Sequence, residues 1–212
     1  MHIKSFCFNP FSENTYILYN DALDGIVIDP GCSNTSERLE LKRFISDTGI
    51  TLKRLLLTHA HIDHILGLSF VAEQYGLLAE LHSGELPVLE SAEIVAKMYG
   101  VPYEKTKHSS VYLVDNQIIT LGDANLTCIL TPGHSPASLC FYNKEKNYVI
   151  GGDVLFEGSI GRTDLPGGNY DTLITSIKTR LYPLGNEVMV YPGHGGATTI
   201  GQEKLTNPFL NS

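Results

Sequence analysis

Three histidines and one aspartate fall within six residues of the sequence, at His59, His61, Asp63 and His64. They follow an apolar run at 55–57 that is typical of the end of a buried strand, and the pattern becomes helical after them. Ligands gather where strands end in layered α/β proteins. Imidazole nitrogen and carboxylate oxygen suit a divalent transition metal, so this segment predicts a metal site, most simply for zinc.

The spacing of these four side chains indicates two metal ions rather than one. A turn that leaves a strand can direct His59 and His61 to one point, while Asp63 and His64 face a second point nearby. One zinc ion normally takes about four ligands, and two metals about 3.5–4 Å apart can share a hydroxide and hold a substrate oxygen. The alternative is a helix N-terminus that holds histidines by chance.

Three later strand ends each carry one further metal-type ligand. His134 and His194 each follow a Pro-Gly pair, and Asp153 follows a Gly-Gly pair. Each of these turns is common by itself. Together with the first cluster they are hard to explain as separate accidents, so we predict that all three belong to the same site.

Length and composition indicate one domain that covers the whole chain of 212 residues, with 42% hydrophobic residues for its core. The net charge of −8 is spread without long single-sign runs, which argues against nucleic-acid binding. We find no stretch that could cross a bilayer and no signal peptide. The four cysteines form no C-x-x-C pair, so we expect reduced thiols and a cytoplasmic location.

Hydrophobic patterning predicts an early half of strands and helices and a later half of short strands. Helices are predicted at 35–48, 65–75, 84–100 and 171–181. Strands are predicted at 2–8, 13–19, 25–31, before residue 58, and at 79–82, 111–114, 117–121, 125–131, 137–142, 148–152 and 187–191. This order favours two sheets packed face to face, with helices outside.

Several single residues receive expectations of their own. Asp29, at the end of the third strand, is predicted either to orient the histidine-bearing loop or to cap its own turn. Asn34 is predicted to cap the helix at 35–48, with Glu37 as the reciprocal partner. The remaining histidines, which have no ligand-spaced neighbour, are predicted to lie outside the site: His2, His82 and His108.

The metal-type residues together resemble the signature of the metallo-β-lactamase superfamily, and their order and context are most similar to its glyoxalase II-like branch. The resemblance covers nearly the whole chain, from residues 14–16 and 29–31 through 193–195. It implies an α/β fold, a four-layer αββα sandwich with the site at one edge of the two sheets.

The resemblance also implies a role for each ligand. His59, His61 and His134 would hold the first metal, and Asp63, His64 and His194 would hold the second. Asp153 would bridge both. A hydroxide bridging the metals would be the nucleophile, because metal binding lowers the pKa of water to about 7.

Two further segments narrow the branch. Residues 159–168 and the C-terminal stretch from 193 to 209 are similar to short bacterial glyoxalase II-like hydrolases. Residues 161–164 also resemble the persulfide dioxygenases. The sequence ends soon after Gly201, so we expect a catalytic core without the C-terminal helical domain by which classical glyoxalase II enzymes hold glutathione.

The leading hypothesis is a dinuclear metal-dependent hydrolase of a small-molecule thioester, such as an S-2-hydroxyacyl-thiol. Metal-bound hydroxide would attack the carbonyl, and the thiolate would leave with little protonation because its pKa is low. Asp63 is predicted to be both a ligand and a catalytic proton acceptor. Arg162 is a candidate for binding a substrate carboxylate, and its alternative is an ion pair with Asp164 that fixes the loop.

Other activities fit the same residues. In a mononuclear iron persulfide dioxygenase, His59, His134 and Asp153 would form a facial triad. The other four ligands would then support the triad from outside it. A lactonase with the same metal core is a third hypothesis, and a metal-binding protein without turnover is a fourth. Zinc is expected first, while iron and manganese accept the same ligands.

Overall fold

The computed structural model describes residues 1–106 and 110–211. The described chain divides into two compact units. The first comprises Met1–Leu81, Leu86–Tyr112 and Leu121–Ala124, and the second comprises His82–Glu85, Leu113–Thr120 and Asn125–Ser212. His108, which is predicted to lie outside the site, is outside the described residues.

The first unit is built on a mixed sheet whose described strands follow the order β1-β2-β3-β4-β5-β6. The strands are β1 (His2–Phe8), β2 (Glu13–Tyr19), β3 (Asp24–Ile28), β4 (Thr51–Leu56), β5 (Ala79–His82) and β6 (Val111–Leu113). Strands β1, β2 and β3 pair antiparallel, whereas β3, β4 and β5 run parallel. The carboxyl ends of β3 and β4 therefore lie side by side, which brings Asp29 beside the segment at 58–64.

Helices cover the apolar residues of this sheet. They are α1 (Thr35–Thr48), α2 (Ile62–Ile65), α3 (Leu68–Tyr75) and α4 (Leu86–Tyr99). Their buried faces join the strand residues in one core that includes Leu41 and Ile45 of α1, Leu55 of β4 and Val71 of α3. Burial of such side chains is the main force that holds the strand ends in place.

The second unit contains a sheet whose described strands follow the order β14-β13-β10-β9-β8-β7. The strands are β7 (Ile118–Leu121), β8 (Ala124–Leu130), β9 (Leu139–Asn143), β10 (Tyr148–Gly152), β13 (Met189–Pro192) and β14 (Thr198–Thr199). A hairpin of β11 (Leu155–Phe156) and β12 (Ser159–Ile160) and the helices α5 (Tyr170–Ser176) and α6 (Ile200–Thr206) complete the unit.

Strand direction in this sheet collects three strand ends at one edge. Strand β9 is antiparallel to both β8 and β10, and β10 is parallel to β13. Strands β8, β10 and β13 thus point the same way. His134, Asp153 and His194 follow these three strands, so the sheet topology places all of them at the same edge.

Two predicted helices differ in detail from the structure. The helix predicted at 65–75 is broken into α2 and α3, because the backbone N–H of Gly67 donates to the carbonyl of Pro30 at 2.7 Å. A side chain on Gly67 would also collide with Cys32. The helix predicted at 171–181 is α5 followed by a π-helical turn at Ile177–Leu181. Helix α6, the β11–β12 hairpin and β14 are missing from the sequence predictions.

The predicted cap of α1 is confirmed in one half and wrong in the other. The Asn34 side chain accepts from the backbone N–H of Glu37, and Gly49 ends the helix in the left-handed region at φ 75°. The Glu37 carboxylate does not return to Asn34. It accepts instead from the backbone N–H groups of Ser33 and Asn9, at 2.6 and 3.0 Å.

Among the described residues, none of the helices combines the length and apolarity needed to cross a membrane. The cytoplasmic location stays a prediction, as does the single domain.

Replacing the cap of α1 should destabilise the fold measurably. Asn34→Ala removes the acceptor for the N–H of Glu37, and we expect the free energy of unfolding to fall by about 1 kcal/mol. Asn34→Ser keeps an acceptor and should stay close to the wild type. Urea denaturation of the three proteins measures the difference, and equal midpoints for Ala and Ser would contradict the capping role.

Candidate metal centre

Asp29 is the residue that orders the ligands of the first unit. Its side chain is buried, with 1% relative exposure for the residue. Oδ1 accepts from the backbone N–H of Thr58 at 2.7 Å, and Oδ2 accepts from the Thr58 hydroxyl at 2.5 Å. Oδ2 also lies 3.1 Å from Nδ1 of His64. The prediction that Asp29 orients the histidine-bearing loop agrees with these contacts.

These contacts determine which nitrogen of each buried histidine carries the hydrogen. Because Asp29 accepts, Nδ1 of His64 is the donor and Nε2 keeps its lone pair. The Thr58 hydroxyl gives its one hydrogen to Asp29, so its oxygen accepts from Nδ1 of His59 at 3.0 Å. The Nε2 atoms of His59 and His64 are thereby left as the nitrogens able to bind a metal.

The four ligands predicted at 59–64 lie together in the first unit. The ring centroid of His59 is 4.8 Å from that of His61 and 4.1 Å from that of His64. Nε2 of His64 is 3.8 Å from Oδ2 of Asp63. Asp63 is partly exposed, with 15% of its side chain accessible, whereas the His64 side chain is fully buried. Asp63 is accordingly the more accessible of this pair.

In the second unit, Asp153 lies between two histidines. Its Oδ2 is 3.5 Å from Nε2 of His134 and also 3.5 Å from Nε2 of His194. This separation is longer than an ordinary hydrogen bond. Two ligand atoms about 2.1 Å from a common ion at a tetrahedral angle lie about 3.4 Å apart. The spacing of these donors therefore fits metal ligation by Asp153 together with either histidine.

The backbone carbonyl of Arg162 orients His134. It lies 2.7 Å from Nδ1 of His134, and a carbonyl can only accept, so Nδ1 carries the hydrogen. Nε2 of His134 then presents its lone pair on the side of Asp153. All three histidines whose tautomers can be assigned thus present Nε2, and imidazole with carboxylate is a donor set that fits zinc, iron or manganese.

The guanidinium of Arg162 is engaged within its own loop. Its Nε and Nη2 atoms donate to the two carboxylate oxygens of Asp164, both at 2.7 Å. These hydrogen bonds lower the pKa of Asp164 to about 2. Both side chains are exposed. These contacts agree with the alternative role predicted for Arg162, an ion pair that fixes the loop. A contact between Arg162 and a substrate stays a prediction.

Glycine is required where the loop at 161 passes the ligands of the second unit. A Cβ on Gly161 would collide with the backbone carbonyl of Asp153 and would lie 3.0 Å from Nδ1 of His134. Gly133, at φ 127°, would collide with the backbone of Leu173 in the same way. Gly161 thus lets its loop approach His134 closely, and Gly133, directly before His134, lets the chain lie close to Leu173.

Sequence reasoning did not assign roles to Thr58, Gly161 or the carbonyl of Arg162. The hydroxyl residue directly before His59 is a signal that could have indicated a hydrogen bond to a ligand. A carbonyl oxygen, in contrast, gives no signal in the sequence because every residue has one. His2 and His82 contact Asp21 and the N–H of Gly84 instead of the ligands, which agrees with their predicted place outside the site.

Comparisons with known proteins relate the chain to one superfamily. A model of the metallo-beta-lactamase superfamily matches residues 8–194. "Hydroxyacylglutathione hydrolase GloC" of Haemophilus influenzae is 37% identical, and the match covers 100% of this chain and 99% of that protein. "Probable metallo-hydrolase YqgX" of Bacillus subtilis is 38% identical, with 95% of this chain and 94% of that protein covered.

Solved structures give the same result. The B3 metallo-beta-lactamase BLEG-1 superposes with a TM-score of 0.89 at 34% identity, and both chains are covered completely at 100%. TTHA1623, crystallised in a di-iron-bound form, superposes with a TM-score of 0.87 at 36% identity, over 98% of this chain and 100% of that one.

Removing the carboxylate between the two histidines should abolish metal retention. Loss of a residue that hydrogen-bonds to a metal ligand typically weakens metal binding by roughly 10–100-fold. Asp153 is itself a predicted ligand, so we expect a larger loss of metal affinity for Asp153→Asn. Metal content after gel filtration, measured by elemental analysis, tests this. Asp47→Asn, the same change on the exposed side of α1, is the matched control. Unchanged metal content in Asp153→Asn would remove this residue from the ligand set.

A methyl group at position 161 should also disturb the site without removing any ligand. Gly161→Ala forces the loop away from Asp153 and stretches the bond from His134 to the Arg162 carbonyl, so we expect metal affinity to drop by about 10–100-fold. Gly196→Ala is the control, because its Cβ would meet only the Glu157 side chain at 3.5 Å. Titration with a competing chelator compares the two variants, and equal affinities would show that the loop tolerates the methyl group.

Proposed function

Because the chain belongs to the metallo-β-lactamase superfamily of metallo-hydrolases, we propose that it hydrolyses a thioester of the S-2-hydroxyacyl-thiol type at a dinuclear metal centre. The proposed ligands divide into three groups by role. They are His59, His61 and His134 for one metal, Asp63, His64 and His194 for the other, and Asp153 for both.

The position of Asp153 is the observation that carries the dinuclear proposal. One of its oxygens is equally distant, at 3.5 Å, from the metal-binding nitrogens of His134 and His194. The facial triad of His59, His134 and Asp153 does not include His194. The equal distances fit both His134 and His194 as ligands beside Asp153, and the seven proposed donors exceed the roughly four that one zinc ion takes, which supports two ions.

When bound, the two metal ions would supply a nucleophilic hydroxide at neutral pH and would polarise the thioester carbonyl. The residues of the chain then have separate tasks. Asp29, through Thr58, and the Arg162 carbonyl hold the imidazoles in the tautomers that bind metal. Asp63 is the proposed proton acceptor, at Oδ2, because it is partly exposed while its neighbour His64 is buried. The leaving thiolate needs little protonation, because an ordinary thiol has a pKa of about 8.5.

Glutathione is the thiol carrier that we propose first. The H. influenzae relative named hydroxyacylglutathione hydrolase matches this chain over 99% of its own length. A protein of this length can therefore carry that name without an additional domain. The side chain of Arg162 is held by Asp164, so we do not assign it to the glutathione carboxylates.

Zinc is the proposed metal, and iron is the main alternative. The N/O donor set accepts both. The relative TTHA1623, at 36% identity, was crystallised in a di-iron-bound form, which supports iron as the alternative to test.

Metal analysis combined with a thioester assay tests the proposal. We expect about two equivalents of metal per chain, as a dinuclear site requires. We also expect hydrolysis of an S-2-hydroxyacylglutathione that is lost on chelation and restored by added zinc. The same acyl group on coenzyme A separates recognition of the thiol from recognition of the acyl group. One equivalent of iron, oxygen uptake with a persulfide and no thioester turnover would replace the hydrolase with the dioxygenase.

A further inference from the structure

Glu13 is a fully buried carboxyl group that the proposed reaction does not use. It begins β2, and its relative exposure is 0%. Oε2 lies 2.9 Å from the hydroxyl of Thr15, and it occupies the place that a side chain on Gly31 would need. Within the described part of the chain, Oε1 has no hydrogen-bond partner. A carboxyl group in these surroundings is poorly suited to carry a charge.

The hydrogen bonds of Thr15 show which atom must be the donor. Its hydroxyl oxygen lies 2.8 Å from the carbonyl oxygen of Asp29 and 2.9 Å from the backbone nitrogen of Gly31. A hydroxyl has one hydrogen and two lone pairs. The carbonyl of Asp29 can only accept, so it takes the hydrogen, and the N–H of Gly31 donates to one lone pair. The remaining contact, with Glu13, is a hydrogen bond only when Oε2 of Glu13 donates.

We propose that Glu13 is a neutral carboxylic acid that donates its O–H to Thr15 and so acts as a positioning residue for the turn at 29–31. Burial supports the neutral form, because it raises the pKa of Glu13 well above its ordinary value. A charged His64 would lower this pKa and the carboxylate of Asp29 raises it, and both effects are smaller than that of burial.

The ionised form leaves contacts that no hydrogen can satisfy. The Thr15 hydrogen would then have to point to Glu13, and the Asp29 carbonyl would face the Thr15 oxygen at 2.8 Å with no hydrogen between them. Among the described residues, the buried carboxylate would have one hydrogen bond, although a buried charge needs several. The neutral form satisfies all three contacts of Thr15 at once.

The O–H donor of Glu13 matters for the proposed metal centre because the turn at 29–31 positions the side chain of Asp29. Asp29 has φ +50°, in the left-handed region that residues other than glycine adopt with strain. The Thr15 hydroxyl ties the carbonyl of Asp29 to the N–H of Gly31 across this turn. The Asp29 side chain in turn holds Thr58 and His64. Glu13 thus acts on the proposed ligands through Thr15 and Asp29.

Two substitutions with side chains similar in size to Glu13 separate the effect of its hydrogen-bond donor from the effect of its volume. Glu13→Gln is neutral and keeps an N–H donor, whereas Glu13→Met fills the space without one. We expect zinc affinity, measured with a competing chelator, to stay within about twofold of the wild type for Gln and to fall about 10–100-fold for Met. Far-UV circular dichroism checks that both variants are folded. Equal affinities for Gln and Met would overturn the positioning role.

Infrared spectroscopy tests the protonation state directly. With ¹³C-labelled glutamate, the difference spectrum of wild type minus Glu13→Gln at pH 7 should contain the C=O band of a protonated carboxyl group. Carboxylate bands in its place would overturn the proposal. The zinc measurement rests on the proposed metal centre, whereas the infrared measurement does not. Neither needs thioester turnover, so a failed substrate assay would count against the proposed function alone.

Discussion

The burial of one carboxylate, that of Asp29, is the constraint on which the ligand set of the first unit depends. A charge taken out of water must be paired or hydrogen-bonded, or the fold loses stability. Asp29 meets this requirement with three donors, two from Thr58 and one from His64. Because those donors are then committed, His59 and His64 present Nε2 to a metal. The contacts that satisfy the buried charge of Asp29 are therefore the same contacts that orient the histidines toward a metal.

The second unit reaches the same result with backbone atoms. His134 is oriented by the carbonyl of Arg162, and Gly161 lets that carbonyl approach because any side chain would strike Asp153. The sheet supplies the rest, since β8, β10 and β13 run in one direction and end at one edge. Strand topology and loop backbone therefore contribute to placing the predicted ligands of this unit.

Much of this arrangement could be predicted from the sequence. The fold class, an α/β protein with the metallo-β-lactamase fold, is confirmed by the likeness to solved structures. The bounds of α1 and β2 agree residue by residue, and those of α1 are marked by an Asn cap and a terminal glycine. The role of Asp29 was open between two alternatives, and the contacts favour orientation of the loop.

The predictions that failed concern hydrogen bonds that no pattern of apolar residues reports. The break between α2 and α3 depends on the bond from Gly67 to Pro30, and no local pattern at 65–75 reports it. Helix α6 is short, and its buried Glu203 looks like a surface charge in the sequence. In the structure that carboxylate accepts from Thr198, Gly158 and Asn207. Periodicity detects apolar faces, so elements anchored by a buried polar residue are missed.

The segment at 161–164 carries a motif that is compatible with more than one substrate. Because this segment resembles the persulfide dioxygenases, the sequence alone leaves persulfide oxidation as an alternative to thioester hydrolysis. In the structure Gly161 leaves space for the backbone of Asp153, and the carbonyl of Arg162 accepts a hydrogen bond from His134. The guanidinium of Arg162 donates to Asp164. The space at Gly161 and the carbonyl of Arg162 hold the loop beside His134, a task that is the same for either substrate. The motif is therefore compatible with both reactions, and the choice between thioester and persulfide rests on the metal content and the substrate assay.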